Sequence, residues 1–200
     1  MKTNFKFLLI IFYIQIAICD IVLPRSGKEG WSVLKDKDIW VGFTYNNDLP
    51  WVRAISLLPY STDEINPVVG NFDVYDKIFE RIIISDVIDS TKNIVYLKID
   101  MPIFNHRDYI VQYSSSNDED DFLYQWYSIT HEKVPEYDNI VRLKRASGEW
   151  RLTPISSTST LVSYTWNGEL LGNFPDFYLT TAWETQGSEI IEWLNSALDK

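Results

Sequence analysis

Residues 140–166, IVRLKRASGEWRLTPISSTSTLVSYTW, decide the fold class of this chain. They contain three runs, at 140–145, 150–154 and 161–166, in which apolar and polar side chains alternate. A period of two is typical of antiparallel strands with one covered face and one polar face. Ser147-Gly148 and Asn167-Gly168 are turn signals beside these runs, so we predict a turn at residues 146–149 and another after residue 166.

A long helix is predicted after the third run. Ile190, Ile191, Leu194, Ala197 and Leu198 recur at helical spacing and fall on one helix face. An apolar helix face that follows a set of curved strands has an economical place to pack, across the concave face of the sheet. What lies between sheet and helix then becomes the question about function.

The start of this helix is predicted from its polar and cyclic residues. Asn173 is the expected cap, and Pro175 suits a first turn, where a missing N–H costs nothing. Gly187 is expected to kink the helix or to split it in two. Three aromatic residues are expected to share a face near the helix start: Phe174, Phe177 and Tyr178.

The residues before 140 predict more strands and one helical region. Strands are expected at 39–45, 51–57, 82–87, 94–99, 109–113 and 122–129, which brings the count to about nine. Ser61 and Glu64 have the spacing of a capping box. An apolar stripe of helical spacing follows at Val74, Tyr75, Ile78 and Phe79. This order predicts an α+β domain in which a strongly bent antiparallel sheet grips the C-terminal helix.

Residues 1–19 have the pattern of an export signal. Lys2 and Lys6 precede an apolar run at 7–18, which is too short to span a bilayer comfortably, and Cys19 follows it. We therefore predict a periplasmic or secreted protein. Two interpretations of Cys19 stay open, removal with the signal or lipidation at a loose lipobox, and an uncleaved anchor is a third. Cys19 is the single cysteine, so the folded domain is expected to have no disulfide.

The charge balance argues against a nucleic-acid partner. The chain has 18 Lys and Arg against 28 Asp and Glu, a formal net charge of −10 at pH 7, whereas phosphate binding needs clustered basic residues. One basic cluster, Arg142, Lys144, Arg145 and Arg151, is expected on a solvated outer sheet face. The acidic run at 118–121 is expected to be a loop tip, and its spacing matches no calcium loop of the EF-hand type.

We expect the folded domain to be a monomer.

Residues 103–109, IFNHRDY, resemble the Arg-Asp motif of StAR-related lipid transfer (START) domains. The runs at 141–142, 148–154, 160–164 and 172–175 are similar to that family in order and spacing, and 72–76 resembles its second-helix region. The resemblance covers residues 27–198. It implies a helix-grip fold with a hydrophobic tunnel for one lipid or sterol-like ligand, closed by the C-terminal helix and a neighbouring loop. It also implies no catalysis. Transient membrane contact is a further expectation.

Two departures from the family pattern bear on the ligand. The N-terminal helix of the family is cut short between Asp20 and Trp31. The acidic residues that pair with a buried arginine in some members have no counterpart that can be placed in this sequence. The head-group specificity of the family therefore does not carry over.

Alternating positions supply the candidate tunnel residues. Arg107 and Asp108 are neighbours in a predicted strand, so they point to opposite faces, and Arg107 is the candidate contact for a ligand head group. The apolar and aromatic candidates are Tyr109, Val111, Tyr113, Tyr124, Trp126, Val141, Leu143, Trp150, Leu152, Val162, Tyr164, Trp166, Phe177 and Tyr178. An apolar wall with few polar groups is the usual form of a small-molecule site. For any single one of these residues, packing in the core against the helix is the better interpretation, and only the set as a whole indicates a pocket.

Two other classes of function stay open. Helix-grip enzymes of the polyketide cyclase or hydrolase type place polar residues in the same kind of tunnel. His106 and His131 lack metal-ligand spacing, and the sequence has no nucleophile elbow, P-loop or dinucleotide-binding turn. We therefore expect no catalytic residue, cofactor or metal. An interaction domain of the cell envelope is the third class, and a core filled by its own aromatic residues would favour it.

Overall fold

The computed structural model describes residues 22–200, which form ten strands and three helices. The strands are β1 (Ser32–Asp36), β2 (Trp40–Asn46), β3 (Leu49–Leu58), β4 (Ile82–Asp89), β5 (Ile94–Ile99), β6 (His106–Asp118), β7 (Asp121–Ser128), β8 (Ile140–Arg142), β9 (Ser147–Ser156) and β10 (Ser159–Asn167). The helices are α1 (Thr62–Val69), α2 (Tyr75–Ile78) and α3 (Leu179–Leu198). The predicted export signal and Cys19 lie outside the described residues.

The strands form one sheet, and α3 packs across it. The strand order is β1-β2-β3-β10-β9-β7-β6-β5-β4, with every neighbouring pair antiparallel. Four apolar side chains of α3 are buried against this sheet: Trp183, Ile190, Ile191 and Leu194. The predicted α+β architecture, a sheet that grips the C-terminal helix, is confirmed. None of the helices between residues 22 and 200 is long and apolar enough to cross a membrane.

The predicted turn at residues 146–149 is wrong. Gly148 lies inside β9, opposite Trp166 of β10 and Trp126 of β7. A Cβ atom at this position would lie 2.3 Å from the Trp126 ring and 2.3 Å from the Thr165 carbonyl oxygen. Glycine is required here because two neighbours approach the backbone. The chain turns earlier instead, at residues 144–145, where the Ala146 N–H donates to the Leu143 carbonyl oxygen at 3.3 Å.

The first predicted strand, 140–145, also pairs differently from the expectation. Only β8 forms there, and it pairs in parallel with residues 106–108 of β6. That part of β6 is free on this side because β7 pairs with β6 only from Val111 onwards. The segment between β7 and β8 covers a small apolar cluster of Ile94, Tyr96 and Ile110 with Ile129 and Val134. Both faces of the sheet are therefore covered at this end.

The other strands and the first helical region follow the sequence pattern. Asn47 and Asp48 have φ values of 51° and 61°, as a two-residue turn of type I′ between β2 and β3 requires. Ser61 and Glu64 form the predicted capping box at the start of α1. The predicted stripe at residues 74–79 is confirmed as core, since Tyr75 and Phe79 are buried.

Helix α3 begins later than predicted and runs unbroken past Gly187. Leu179 is its first residue, a 3₁₀ turn (Asp176–Tyr178) precedes it, and Asn173 is not its cap. A Cβ atom at Gly187 would lie 2.9 Å from Val41 Cγ1 and 3.2 Å from the Trp166 ring. The glycine therefore lets the helix approach the sheet closely, and the predicted kink or split is wrong.

The four basic residues of the predicted outer-face cluster do not form one patch, because each pairs with a different acidic group. Arg142 pairs with Asp108, Lys144 with Glu136 and Arg145 with Glu169. Arg151 contacts three carboxylates, those of Asp118, Asp121 and Glu149. The acidic run at 118–121 forms the predicted tip between β6 and β7, and two of its carboxylates bind this arginine.

The segment before β1 is fixed to the sheet by Arg53. The Arg53 guanidinium donates to the carbonyl oxygens of Arg25 at 2.8 Å and Gly27 at 2.6 Å, and Nε donates to Thr165 Oγ1 at 2.7 Å. Arg53 also stacks on the Trp31 ring at 4.3 Å. A buried arginine that binds backbone carbonyls orders this segment without an acidic partner.

Candidate functional site

An internal cavity of about 230 Å³ lies between the sheet and α3. Its walls come from the segment 79–82, the end of β5 with the loop that follows it, β6, β7, the segment 143–147, β10, the segment 169–174 and α3. Most lining residues are apolar. They include Phe79, Ile82, Ile99, Met101, Pro102, Phe104, Leu143, Ala146, Leu170, Phe174, Ala182, Ile190 and Trp193.

The inner wall of the cavity is built from stacked aromatic rings. Tyr164 lies at the centre, with ring centroids 5.4 Å from Trp126, 4.3 Å from Trp150 and 5.1 Å from Trp166. These side chains alternate along antiparallel strands, so they meet on the inner face of the sheet. The aromatic residues fill the core on one side of Tyr164 and leave the cavity open on the other.

Six of the predicted tunnel residues line this cavity: Arg107, Tyr109, Trp126, Leu143, Tyr164 and Trp166. Tyr113 and Trp150 line an adjoining void of about 10 Å³. The alternation along β6 and β10 was therefore a sound guide to the inward face.

The other seven predicted tunnel residues line neither the cavity nor the adjoining void. Val111, Leu152 and Val162 are fully buried in the core. Tyr124 donates from its hydroxyl to Asn66 Oδ1 at 2.7 Å and so packs on α1, while Val141 packs beside Gly172. The alternation of side chains along a strand shows which face of the sheet a residue lies on. It does not show where along that face the cavity lies.

Phe177 and Tyr178 are also among these seven, and both are exposed. Their side chains are 76% and 52% exposed, and their ring centroids are 4.4 Å apart. The predicted shared face with Phe174 is wrong because α3 starts only at Leu179. Phe174 alone of the three lines the cavity.

Arg107 and Asp108 point to opposite faces of β6, as predicted. Arg107 lines the cavity and donates to the carbonyl oxygens of Asn105, Leu170 (2.8 Å) and Leu171 (2.8 Å). It thereby fixes the segment 168–175 to β6. Burial lowers the pKa of Arg107, but an arginine stays protonated at neutral pH.

Asp108 forms a buried ion pair on the outer face. Its carboxylate accepts from Arg142 Nε at 2.7 Å and Nη2 at 2.9 Å, and the Tyr96 hydroxyl donates to it at 3.3 Å. The side chains of Arg142 and Asp108 are 8% and 1% exposed. The pair joins β8 to β6, and its role is structural.

The end of β10 brings two polar side chains to the cavity wall. Asn167 Oδ1 accepts from the Glu169 N–H at 2.9 Å, and Glu169 Oε1 accepts from Arg145 Nη2. Asn167 Nδ2 and Glu169 Oε2 are buried, and neither has a hydrogen-bond partner within residues 22–200. Unpaired buried polar atoms of this kind are few in folded proteins.

Two loops cover the end of the cavity near Arg107. Phe104 of the β5–β6 loop and Phe174 of the segment before α3 meet with ring centroids 5.0 Å apart, and both line the cavity. Beside them, Ile103 is fully exposed and has a φ of 75°. Arg81 also lines the cavity, and it binds Glu189 of α3 at 2.5 and 2.8 Å.

The cavity wall contains few groups suited to acid–base chemistry. Burial raises the pKa of Tyr109 and of Tyr164, so both phenols stay protonated at neutral pH. Neither histidine of residues 22–200 lines the cavity. His106 Nδ1 lies 3.2 Å from Asp100 Oδ1, and His131 Nδ1 accepts from the Lys133 N–H at 3.3 Å.

Comparison with solved structures identifies the architecture. A STAR-related lipid transfer protein from Xanthomonas axonopodis superposes with a TM-score of 0.75 at 20% identity, over 86% of this chain and 100% of that one. Human StAR-related lipid transfer protein 5 gives a TM-score of 0.73 at 15% identity, over 86% and 88%. The chain has the START fold. No protein-family model and no curated protein sequence matches it.

The START fold is also related to that of enzymes. An aromatase/cyclase from Streptomyces gives a TM-score of 0.55 at 14% identity, over 74% of this chain and 93% of that one. This likeness is weaker than that to the lipid transfer proteins. At such identities the comparisons establish the helix-grip architecture of START domains, and the site must be argued from its own residues.

Sequence reasoning missed most of the α3 and loop contributions to the cavity. On α3, Ala182, Thr185, Gln186, Ile190 and Trp193 line the wall. Their spacing of three and four residues is a helical signal, but it was obscured by the stronger apolar stripe through Leu194. Three further lining residues lie outside helices and strands, where no periodic pattern shows which way a side chain points: Phe104, Phe174 and Glu169.

Proposed function

We propose that this protein binds a single lipid or sterol-like hydrophobic ligand in the internal cavity and transfers it without chemical change. The observation that carries the proposal is the largely apolar cavity between sheet and α3, with a few polar side chains in its wall. Apolar walls with few polar groups are typical of small-molecule sites. The names of the superposed lipid transfer proteins support the same class of ligand.

The expected source of affinity is the burial of apolar surface. Transfer of each methylene from water to an apolar site contributes about 0.8 kcal/mol. At about 230 Å³, the cavity is smaller than the ~300–1,000 Å³ of pockets that hold drug-sized ligands. A full-length lipid is therefore accommodated only when a wall moves.

The movable wall, in this proposal, is formed by the two loops beside Arg107. The two loops meet here through the Phe104 and Phe174 rings, an apolar contact that contains no hydrogen bond. Displacement of these loops, or of α3 after its Arg81–Glu189 ion pair opens, would admit the ligand. Exposed Ile103 and Phe177 would meet the apolar part of a membrane during transfer.

The cellular location and the oligomeric state are part of the same proposal. Residues 1–19 would export the chain to the periplasm or the medium, or anchor it through a lipidated Cys19. The domain would act as a monomer. Catalysis is not part of the proposal.

Replacing an exposed apolar residue at either loop by aspartate is expected to weaken the membrane contact, and so to slow ligand transfer, without weakening ligand binding. Ile103→Asp and Phe177→Asp should each reduce co-sedimentation with phosphatidylcholine vesicles roughly tenfold, because each removes a large apolar side chain from the membrane contact. Ligand affinity in solution should be unchanged. Ile155→Asp is the matched control, since Ile155 is 57% exposed and does not line the cavity. An equal loss in the control would contradict the proposed contact surface.

Native mass spectrometry tests ligand carriage. Residues 20–200 are purified without detergent from a lipid-containing host, and the bound material is extracted with organic solvent. We expect an added mass of several hundred daltons that extracts as a lipid. A ligand-free mass that persists after incubation with mixed lipids would overturn the proposal and favour an interaction domain. Recovery of a chemically altered product would instead favour an enzyme of the cyclase type.

A further inference from the structure

The segment before β1 begins beside the turn between β2 and β3. We call residues 22–31 the N-terminal strap. Three of its carbonyl oxygens accept from the Arg53 guanidinium on β3, and Thr44 Oγ1 donates to a fourth at 3.3 Å. At its start, Asn46 Nδ2 donates to the Val22 carbonyl oxygen at 2.9 Å. Asn46 is the last residue of β2, so Val22 lies beside the β2–β3 turn.

The β2–β3 turn lies at the end of the sheet where the two loops cover the cavity. The Pro50 carbonyl oxygen, just after the turn, accepts the Gly168 N–H at 2.7 Å. Further along the same segment, two carbonyl oxygens accept from Arg107 Nε and Nη2 at 2.8 Å. Arg107 is the second residue of β6, so it adjoins the β5–β6 loop. The start of the strap and the two covering loops therefore lie at one end of the molecule.

Five exposed large apolar side chains gather at this end. They are Tyr45, Ile103, Leu171, Phe177 and Tyr178, and we call them the loop-end surface. Tyr45 pairs with Pro50 beside the β2–β3 turn, and the other four belong to the two covering loops. Apolar groups that gather on a surface mark a site of protein or membrane contact. The two tyrosines suit a bilayer in particular, because an apolar ring with a polar hydroxyl is favoured at the head-group level.

The start of the strap indicates what covers this surface. Val22 follows Cys19 by three residues, which span at most about 11 Å. The predicted apolar run at 7–18 ends one residue earlier. An N-terminus attached to a bilayer, through a lipidated Cys19 or an uncleaved apolar run, would therefore be attached next to the loop-end surface. Docking is then intramolecular, so a weak apolar contact is enough, because short linkers give high effective concentrations.

We propose that the loop-end surface docks on the lipid bilayer to which the N-terminus is attached, and that the strap holds it in this orientation. The inference rests on the proposed ligand carriage and adds a direction to it. The covering loops would face the attached bilayer, so the domain would exchange ligand with its own membrane first. The opposite end of the sheet, with the β9–β10 turn at residues 157–158, would face away from that membrane.

Attachment is tested on the full chain, expressed in a bacterial host. We expect the full chain to sediment with the membranes after a high-salt wash. Residues 20–200, made in the same host without residues 1–19, should stay in the supernatant, because the loop-end surface alone binds weakly. A full chain recovered only in the supernatant would overturn the proposal.

Orientation is tested by coupling the protein to vesicles at one chosen point. Cys19 is the single cysteine, so residues 19–200 react only there with a maleimide-bearing lipid in phosphatidylcholine vesicles. The matched control combines Cys19→Ser with Ser157→Cys, which couples through the exposed β9–β10 turn. That turn is separated from Asn167 by the nine residues of β10, a length of roughly 27 Å. The control therefore attaches the same domain by its other end.

Hydrogen–deuterium exchange with mass spectrometry shows which backbone segments face the bilayer. Coupling at Cys19 should slow exchange in residues 101–105 and 168–178 roughly tenfold relative to the uncoupled protein, because most molecules are docked at any moment. The control should leave both segments at the uncoupled rate. Equal protection of these loops in the two samples would overturn the proposal, because docking would then not depend on where the chain is attached.

The outcomes separate this inference from the proposed function. Ligand carriage is measured by native mass spectrometry of the uncoupled protein. If that protein carries lipid but coupling at Cys19 does not protect the covering loops, ligand carriage stands and the docking is overturned. If the loops are protected through Cys19 alone but no lipid is carried, the docking stands and the ligand carriage fails.

Discussion

Ala182→Trp is expected to abolish ligand binding while the chain stays folded. Ala182 lies on the face of α3 that lines the cavity, and it is half-buried. An indole at this position would occupy much of the 230 Å³ cavity, so ligand and side chain would compete for one space. Native mass spectrometry should show less than roughly one tenth of the wild-type ligand occupancy, which corresponds to ~1.4 kcal/mol or more.

Thr181→Trp is the matched control for this change. Thr181 is the preceding residue of α3, is exposed, and does not line the cavity. In helix propensity, Ala182→Trp costs a few tenths of a kcal/mol and Thr181→Trp is close to neutral, so neither change is expected to unfold α3. If the control loses ligand as completely as Ala182→Trp, or if Ala182→Trp retains wild-type occupancy, the ligand does not lie in this cavity.

Asp108→Ala is expected to destabilise the fold by ~3–5 kcal/mol, because it leaves the Arg142 guanidinium buried without its charged partner. The ion pair is almost fully covered, with 8% and 1% of the two side chains exposed. Urea unfolding followed by tryptophan fluorescence measures the change as a shift of the midpoint. The pair lies on the outer face of β6, so the ligand affinity of the molecules that remain folded should not change.

Glu136→Ala provides the comparison for an exposed ion pair. Glu136 binds Lys144 Nζ at 2.9 Å, but the two side chains are 55% and 64% exposed. Surface pairs contribute about 0–1 kcal/mol, so the midpoint should hardly move. A loss in Asp108→Ala no larger than in Glu136→Ala would show that Asp108 does not hold β8 on the sheet.

The fold was accessible from the sequence because its main signals are local and periodic. Residues 161–166 alternate as a strand, and the stripe through Ile190 and Leu194 marks a buried helix face. The order of strands and helices then leaves few ways to cover the sheet. The opposite orientations of Arg107 and Asp108 followed from the same pleat.

The wrong predictions concern residues whose role depends on neighbours that are distant in the sequence. Gly148 has the local signature of a turn, yet it is a glycine because Trp126 and the Thr165 carbonyl approach its backbone. Gly187 is likewise a glycine because the side chain of Val41, which is distant in the sequence, lies close to the helix backbone. The parallel pairing of β8 with β6 was not predictable, because alternation carries no information about partner or direction.

The candidate site was predicted only in part for the same reason. Alternation identified the inward residues of β6, β7 and β10, including Tyr109 and Trp166. It did not identify Glu169 or Phe174, which lie in a segment without a period. Nor does any local pattern reveal that Asn167 Nδ2 lacks a partner, because that depends on the whole set of neighbours.

Photolabelling of the bound ligand tests the central claim most directly. A hydrophobic probe with a diazirine on its alkyl chain is bound to residues 20–200, irradiated, and mapped by peptide mass spectrometry. The account predicts labels on Met101, Phe104, Ile190 or Trp193, which line the cavity from the β5–β6 loop and from α3, and their loss in Ala182→Trp. Labels confined to exposed residues such as Leu57 and Ile155, unchanged in Ala182→Trp, would contradict it.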